Sequence, residues 1–247
     1  MTATVSMEIP YLRPDGTLTF EGMNLWQQVI DDLATLSGAT ISLDGLSDVT
    51  ITTPATGQVL GYNGTAWVNQ TIGAGRFLLA TKTASASATL DFTEFANSTY
   101  RLYEFELENI IPATDSVTLW MRTSTNGGST YADGASNYIW GMDGTGSTGA
   151  QVALSNADSK IALTDSAALV GNAAAEYGVS GRITMYAAPL AVPTEIIGAL
   201  NYWRDTGGWF RYHLGGVRNS AADVDAVRFL FSSGNIASGT IRMFGIV

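Results

Sequence analysis

The feature that most constrains this fold is the alternation of apolar and polar residues in short runs after Arg76. Successive side chains of a β-strand lie on opposite faces, so the pattern repeats every two residues, whereas a helical pattern repeats every 3.6 residues. Eleven such runs are separated by turn-forming residues, and no segment beyond Gly75 has a convincing helical period. The runs are 77–82, 88–92, 100–108, 116–123, 137–142, 160–163, 181–187, 195–203, 209–215, 226–232 and 239–246. The sequence therefore predicts an all-β fold whose main domain, 76–247, is an antiparallel β-sandwich of jelly-roll-like order.

The composition limits the partners and cofactors that this chain can have. It contains no cysteine, so disulfides and thiolate metal ligands are excluded, and its only histidine is His213. Its net charge is −10 and its 12 basic residues are scattered, whereas phosphate binding needs clustered Lys and Arg. No apolar run approaches the roughly 18 residues of a membrane span, and the sequence does not start like a signal peptide. We therefore expect a protein folded in a cytoplasm, with no nucleic-acid partner, no membrane insertion, no cofactor and no metal.

Residues 1–43 are predicted to form an attachment arm that ends in an amphipathic helix. Within 22–36 the apolar residues follow a helical period and form two adjacent seams. A helix of this length is marginal in water when isolated, so it needs an apolar partner. That partner is either the chain's own β-domain or further copies of the helix, and the width of the apolar stripe favours a homotrimer. The candidate oligomerisation residues are Met23, Trp26, Val29, Ile30 and Leu33.

Residues 44–75 are predicted to form a small β-unit and a Gly-rich linker. Short alternating runs flank an Asn63-Gly64 pair, which favours the tight turn of a β-hairpin. A unit of two or three strands cannot bury its apolar residues alone, so we expect it to lean on another chain or on the following domain. The Gly73-Ala74-Gly75 segment marks the boundary with the main domain.

Several segments resemble parts of known phage proteins. The stretch 45–70 is similar to the short repeat of tail fibres and other appendage proteins of tailed bacteriophages. The residues that carry this resemblance are Leu46-Ser47-Asp48-Val49, Pro54, Gly57-Gln58-Val59-Leu60, Tyr62-Asn63-Gly64 and Trp67-Val68-Asn69. The N-terminal peptide and its Trp-bearing helix resemble the virion-anchoring end of such fibres. Segments 109–113, 119–124, 126–131, 233–236 and 239–246 resemble the C-terminal β-domain of a group of phage structural proteins.

The resemblance implies a structural appendage of the phage particle, a tail fibre or spike that adheres to the host cell. It implies a homotrimer located in the virion, with the N-terminal region attached to other virion proteins. The β-domain would then be directed outward, toward a host-surface glycan or protein. Two alternatives stay open: a head fibre or decoration protein without a specific receptor, and a polysaccharide-degrading spike.

Three sequence patterns could carry catalysis, and each has a structural alternative. His213 has no nucleophile elbow of the type G-x-S-x-G to act with, and 144–149 matches G-x-G-x-x-G without a surrounding βαβ unit. Glu104, Glu106 and Glu108 alternate along one predicted strand, so they would lie about 6.6 Å apart on one face. Glycan-cleaving enzymes use paired carboxylates at similar separations, but a solvated outer face has the same pattern. We expect a protein that is not an enzyme.

The aromatic run near residue 210 is the candidate binding site. It flanks a short connection, 204–208, that has the pattern of a hairpin tip. Exposed aromatic faces beside charged side chains can stack on sugar rings and hydrogen-bond their hydroxyls. The alternative is that these aromatics belong to the core or to a trimer interface. The candidate binding residues are Trp203, Arg204, Asp205, Trp209 and Tyr212.

Two other loop regions stand out. The segment 126–135 is short, polar and carries a Gly127-Gly128 tip, which makes it a second candidate for host contact. The segment 144–175 is rich in Gly, Ser and Ala, and we expect long surface loops there.

Overall fold

In the computed structural model the chain is described over residues 20–38, 43–55, 58–71, 75–96, 98–186, 188 and 190–247. The chain divides into two units, 1–72 and 73–247, and the second begins at the first residue of the predicted Gly-rich boundary. Strands dominate, and the described residues contain one α-helix, which confirms the predicted all-β class with a short helix. The predicted extended arm before residue 20 lies outside the described residues.

Helix α1 spans Phe20–Gly38 and carries the predicted apolar stripe. On its polar side, Gln27 Nε2 donates a hydrogen bond to Asp31 Oδ1 at 2.9 Å. The candidate oligomerisation residues lie on the apolar stripe and are each between 47% and 64% exposed: Met23, Trp26, Val29, Ile30 and Leu33. Within the described part of the first unit, the apolar side of α1 is therefore left largely uncovered.

A short 3-10 turn and a three-stranded sheet complete the first unit. The turn is Leu43–Gly45, and the strands are β1 Val49–Thr50, β2 Gln58–Tyr62 and β3 Trp67–Thr71. Strands β2 and β3 form the predicted antiparallel hairpin, and β1 lies parallel to β3.

Two asparagines hold this small sheet. Asn63 Oδ1 accepts hydrogen bonds from two backbone N–H groups of the predicted turn, at 3.0 and 2.9 Å. Gly64 has a φ of 100°, which glycine adopts without steric cost. The Asn69 amide bonds both the N–H and the carbonyl of Thr52, each at 2.8 Å. Side-chain hydrogen bonds thus supplement the small amount of apolar burial that three short strands can provide.

Within its described residues, the second unit has twelve strands, and each of the eleven predicted runs overlaps one of them. They are β4 Arg76–Thr83, β5 Leu90–Phe92, β6 Leu102–Pro112, β7 Leu119–Ser124, β8 Tyr138–Gly146, β9 Gly149–Asp158, β10 Ile161–Ala162, β11 Val179–Tyr186, β12 Pro193–Trp203, β13 Trp209–Ala221, β14 Ala226–Phe231 and β15 Ile236–Ile246.

The expectation of long surface loops over 144–175 is wrong for its first half, where β9 pairs with β8 as an antiparallel hairpin. Strand β9 is an edge strand of its sheet, so its small side chains need little packing to hold it in place. Its Val152 and Leu154 point outward and are 73% and 66% exposed. The alternating pattern of residues 150–155 indicates this strand, although most of its side chains are small.

The twelve strands form two antiparallel sheets that pack as a sandwich. The long sheet has eight strands in the order β4-β15-β6-β11-β12-β13-β8-β9, and the short sheet has four in the order β10-β7-β14-β5. The predicted antiparallel sandwich is therefore confirmed. Its strands are divided unequally between the sheets, and the long sheet offers a wide outer face.

Aromatic side chains from both sheets meet in the core. Phe105 of β6 lies between Phe92 of β5 and Phe229 of β14, with ring centres 5.4 and 5.3 Å from its own. All three rings are fully buried. Tyr103 and Leu107 point inward with Phe105, as their spacing predicts.

Replacing Phe105 with alanine should lower the free energy of unfolding by about 3–5 kcal/mol, because the ring contacts both sheets and its removal leaves a cavity. Leu78→Ala is the matched control: Leu78 is 57% exposed on β4, so the change should stay within about 0.5 kcal/mol. Urea unfolding followed by circular dichroism measures both values. Equal losses in the two variants would contradict the assignment of inner and outer faces.

Candidate functional site

The β12–β13 hairpin places two tryptophans on the outer face of the long sheet. Trp203 and Trp209 are direct cross-strand partners at the end of the hairpin. The connection between them closes as a tight turn, because the Arg204 N–H donates to the Gly208 carbonyl at 3.0 Å. Gly207 and Gly208 have φ of 78° and 105°, where other residues are strained. Cross-strand partners have Cβ atoms about 5 Å apart, so the two indoles leave the sheet from neighbouring positions.

An open cavity of about 500 Å³ lies beside this hairpin, and we call it the aromatic cavity. Its volume lies in the range of small-molecule sites, roughly 300–1,000 Å³. The described residues that line it combine aromatic rings with amides and hydroxyls, and none of them is charged: Asn109, Tyr177, Gly178, Ser180, Asn201, Tyr202, Trp203 and Trp209. The end of β6, the start of β11 and the hairpin all contribute to it.

One wall of the aromatic cavity is fixed by internal hydrogen bonds. Asn109 Oδ1 accepts a hydrogen bond from the Gly178 N–H at 2.9 Å, and the Asn109 N–H donates to Ser180 Oγ at 2.9 Å. Asn109 has a φ of 52°, a left-handed conformation that asparagine tolerates better than most residues. A Cβ at position 178 would lie 2.5 Å from the carbonyl oxygen of Ile110, so only glycine fits there. This wall is therefore formed before any ligand arrives.

The remaining polar groups of the cavity are available to a ligand. Among the residues that the structure describes, neither the Asn201 amide nor the Tyr177 hydroxyl has a hydrogen-bond partner, and the same is true of the Trp203 and Trp209 indole N–H groups. Tyr177 is 69% exposed and Trp209 is 42% exposed. The cavity thus presents aromatic surface together with unused donors and acceptors.

In a second tryptophan-lined cavity, of about 370 Å³, both indole N–H groups already have hydrogen-bond partners. The Trp140 indole N–H donates to Asp158 at 2.9 Å, and the Trp120 indole N–H donates to Thr118 at 2.7 Å. The Lys160 ammonium lies 4.8 Å from the centre of the Trp120 ring. These contacts already use both indoles for local structure, so the aromatic cavity is the better candidate for a binding site.

Two of the five predicted binding residues, Trp203 and Trp209, line the aromatic cavity. Arg204 and Asp205 do not line it. Asp205 Oδ2 accepts a hydrogen bond from Ser116 Oγ at 2.6 Å, which ties the hairpin tip to a neighbouring loop. Arg204 and Asp205 therefore support the position of the tryptophans from the turn between them.

The prediction that Tyr212 is a binding residue is wrong, because its side chain is fully buried. Along β13 the odd-numbered residues from Trp209 to His213 face outward and the even-numbered ones face the core. The Tyr212 hydroxyl donates to Asp165 Oδ2 at 3.0 Å, and its ring stacks on Tyr202 with centres 5.9 Å apart. The aromatic run thus divides into buried core residues and an outward pair of tryptophans. The prediction of core aromatics applies to the first group, and the prediction of exposed aromatic faces applies to the second.

Sequence reasoning missed several lining residues. Asn201 lies two positions before Trp203 on the same strand, and this parity could have identified it. Asn109, Tyr177 and Ser180 come from distant segments, and only the pairing of β11 with β6 and β12 brings them to the hairpin. The other candidate region, 126–135, does not line the cavity.

The three glutamates of β6 form ion pairs on the outer face of the long sheet. Arg76 lies 2.5 Å from Glu104 and 2.8 Å from Glu106, and Arg242 lies 2.7 Å from Glu108. The hydrogen bond from Arg76 lowers the pKa of Glu106. The general acid of a glycan-cleaving enzyme needs a raised pKa, whereas the pKa of Glu106 is lowered.

The other two sequence patterns also lie on the long sheet. The segment 144–149 forms the end of β8 and its turn into β9, and it does not precede a helix. His213 is exposed on β13, opposite Asp143 of β8. Over the described ranges, no three His, Cys, Asp or Glu side chains form a group that could hold a metal ion. Helix α1, the helix found among the described residues, is not long and apolar enough to span a membrane.

Comparison of the chain with protein-family models, with curated proteins and with solved structures found no match. Its function must therefore be inferred from the site itself and from the sequence.

The buried tyrosines beneath the site predict how stability depends on pH. Burial raises the pKa of Tyr202 far above its usual value of 10.0, and the charge of Asp165 acts in the same direction. As pH rises, the unfolded chain therefore loses the Tyr202 proton before the folded chain does. The contribution of Tyr202 to the free energy of unfolding is intact below pH ~10 and is lost as pH rises further. In Tyr202→Phe, the slope of unfolding free energy against pH between about 10 and 12 should be shallower by up to about 1.4 kcal/mol per pH unit.

Tyr177→Phe is the matched control, since Tyr177 is 69% exposed, and it should keep the wild-type slope. Urea unfolding at closely spaced pH values measures all three proteins. Identical slopes for wild type and Tyr202→Phe would contradict the burial of this hydroxyl.

Proposed function

We propose that this chain is a non-enzymatic appendage of a tailed-phage particle that binds a host-surface saccharide through the aromatic cavity. The observation that carries the proposal is the pairing of Trp203 and Trp209 beside the Asn201 amide and the Tyr177 hydroxyl, which make no hydrogen bond within the described part of the chain. A pyranose ring has an apolar C–H face that suits an indole and a rim of hydroxyls that suits amides. A few convergent polar groups beside aromatic surface are typical of small-ligand sites.

The lining favours a saccharide whose bound ring is uncharged. Among the residues that the structure describes, no Arg, Lys, Asp or Glu side chain lines the aromatic cavity, and the chain as a whole carries a net charge of −10. A polyanionic partner would therefore meet no neutralising charge in the cavity and a repulsive field around it. The hydrogen bond from Arg76 that lowers the pKa of Glu106 argues against a role of this carboxylate in a polysaccharide-degrading spike, because the acid of such an enzyme must carry a proton.

The exposed side of α1 supports assembly as a homotrimer. At 100° per residue, its apolar residues cover about half of the helix circumference, which is wider than a seam for one partner helix. Three copies around an axis would bury this stripe, and the same region would attach the trimer to other virion proteins. Three aromatic cavities on one particle-bound trimer would then raise a weak site affinity by avidity. We accordingly propose that the protein is a component of the virion.

Trp26→Asp should weaken the trimer, because a carboxylate in an apolar seam must be desolvated at a cost of several kcal/mol. Sedimentation equilibrium should give the wild-type protein a mass near three times the 26.1 kDa of one chain, and the variant a lower mass. Gln28→Asp, on the polar side of α1, is the matched control and should keep the wild-type mass. A wild-type mass equal to that of one chain would refute the trimer.

Trp209→Ala should reduce binding to a saccharide microarray by about tenfold or more, because it removes half of the aromatic pair. Tyr62→Ala is the matched control, since Tyr62 is 58% exposed and is not among the residues that line the aromatic cavity. The array should carry bacterial surface polysaccharides and their fragments, and circular dichroism should confirm the fold of each variant. Absence of saccharide binding by the wild-type chain would favour the decoration protein without a receptor.

A further inference from the structure

We infer that the aromatic cavity is one end of a longer groove along β12, which takes a linear saccharide of several rings rather than a single sugar. This inference rests on the proposed function and extends it to the length of the ligand. It comes from a second cavity, of about 510 Å³, on the same face of the long sheet. Its lining includes Arg182, Thr184, Ile197, Ala199 and His213.

Strand register places the two cavities next to each other. Ser180 of β11 pairs with Asn201 of β12, and both line the aromatic cavity. The next outward pair is Arg182 with Ala199, and both line the second cavity. The two pairs are adjacent rungs on one face, so no strand or loop separates the cavities. From Trp203 to Ile197 the groove runs along β12 for about 20 Å, at about 3.3 Å per residue.

Small residues form the floor of the groove beyond the aromatic cavity. Ala199 is exposed and places only a methyl group between Arg182 on β11 and His213 on β13. Gly215, the neighbour of Ile197 on β13, has no side chain, and a Cβ there would meet nothing within 4 Å. The sheet surface is therefore low at Ala199, between Arg182 and His213, and low again at Gly215 beside Ile197.

The walls of the groove offer contacts that suit sugar rings. The Arg182 side chain is 58% exposed and lies 3.2 Å from Glu104, which holds the guanidinium in place while leaving other N–H groups for ligand hydroxyls. On the other wall, Arg211 is exposed beside Asn201. Ile197 is 49% exposed and provides an apolar surface at the far end. Hydrogen-bond donors along the sides and apolar surface at both ends match an extended saccharide.

An extended peptide fits this groove less well. Strands β11, β12 and β13 lie inside the long sheet, so neighbouring strands already use their backbone N–H and carbonyl groups. Peptides that bind sheets in an extended form usually add to a free edge and pair with its backbone. The groove lies on a face and offers only side chains, which favours the saccharide.

The test compares Ala199→Tyr with Val152→Tyr in the full chain. Ala199→Tyr fills the floor of the groove but leaves the aromatic cavity open. Val152 lies in the same row of the same face three strands away, about 14 Å from Ala199, and is 73% exposed. Both proteins are measured on a microarray printed with bacterial surface polysaccharides and their fragments of one, three and six rings.

The wild-type chain should bind six-ring fragments at least about tenfold more tightly than single rings of the same polysaccharide. Ala199→Tyr should remove most of this difference while single-ring binding persists, and Val152→Tyr should match the wild type. Equal wild-type affinity for one and six rings, or an unchanged profile in Ala199→Tyr, would overturn the groove but leave the aromatic cavity as a site. If the wild-type chain bound no saccharide on the array, both the groove and the proposed function would be refuted.

Discussion

The burial of an aromatic layer between the two sheets is the interaction on which the rest of this structure depends. Phe105, held between Phe92 and Phe229, joins the long sheet to the short one. Because side chains alternate along a strand, each ring that enters this core directs its neighbours outward. Tyr202 in the core therefore requires Asn201 and Trp203 on the outer face. The candidate site is a consequence of the same alternation that builds the sandwich.

The sequence was sufficient to predict the fold class, the tight turns and most strands, because these depend on local alternation and on glycine and asparagine at particular positions. It was insufficient for β9, whose small residues carry a weak apolar pattern and whose place at the sheet edge demands little packing. Strand order and the eight-to-four division depend on contacts between distant segments, which no local pattern encodes.

The candidate site divides in the same way. Trp203 and Trp209 are predictable because they flank a recognisable turn, whereas the prediction for Tyr212 is wrong because the even-numbered residues at the start of β13 face the core. Asn109 and Tyr177 reach the site only through the pairing of β11 with its neighbours. The structure also distinguishes two kinds of tryptophan. Those near Asp158 use their indole N–H groups within the protein, whereas those of the hairpin donate to no acceptor in the described part of the chain.

The most direct test of the central claim is a crystal structure of the full chain with the saccharide that binds it most tightly. The account predicts a sugar ring within about 4–4.5 Å of the Trp203 and Trp209 indoles, with a hydroxyl hydrogen-bonded to the Asn201 amide. Further rings should follow the outer face of β12 toward Ile197. A saccharide bound at 126–135, or at any surface that does not include the tryptophan pair, would contradict it.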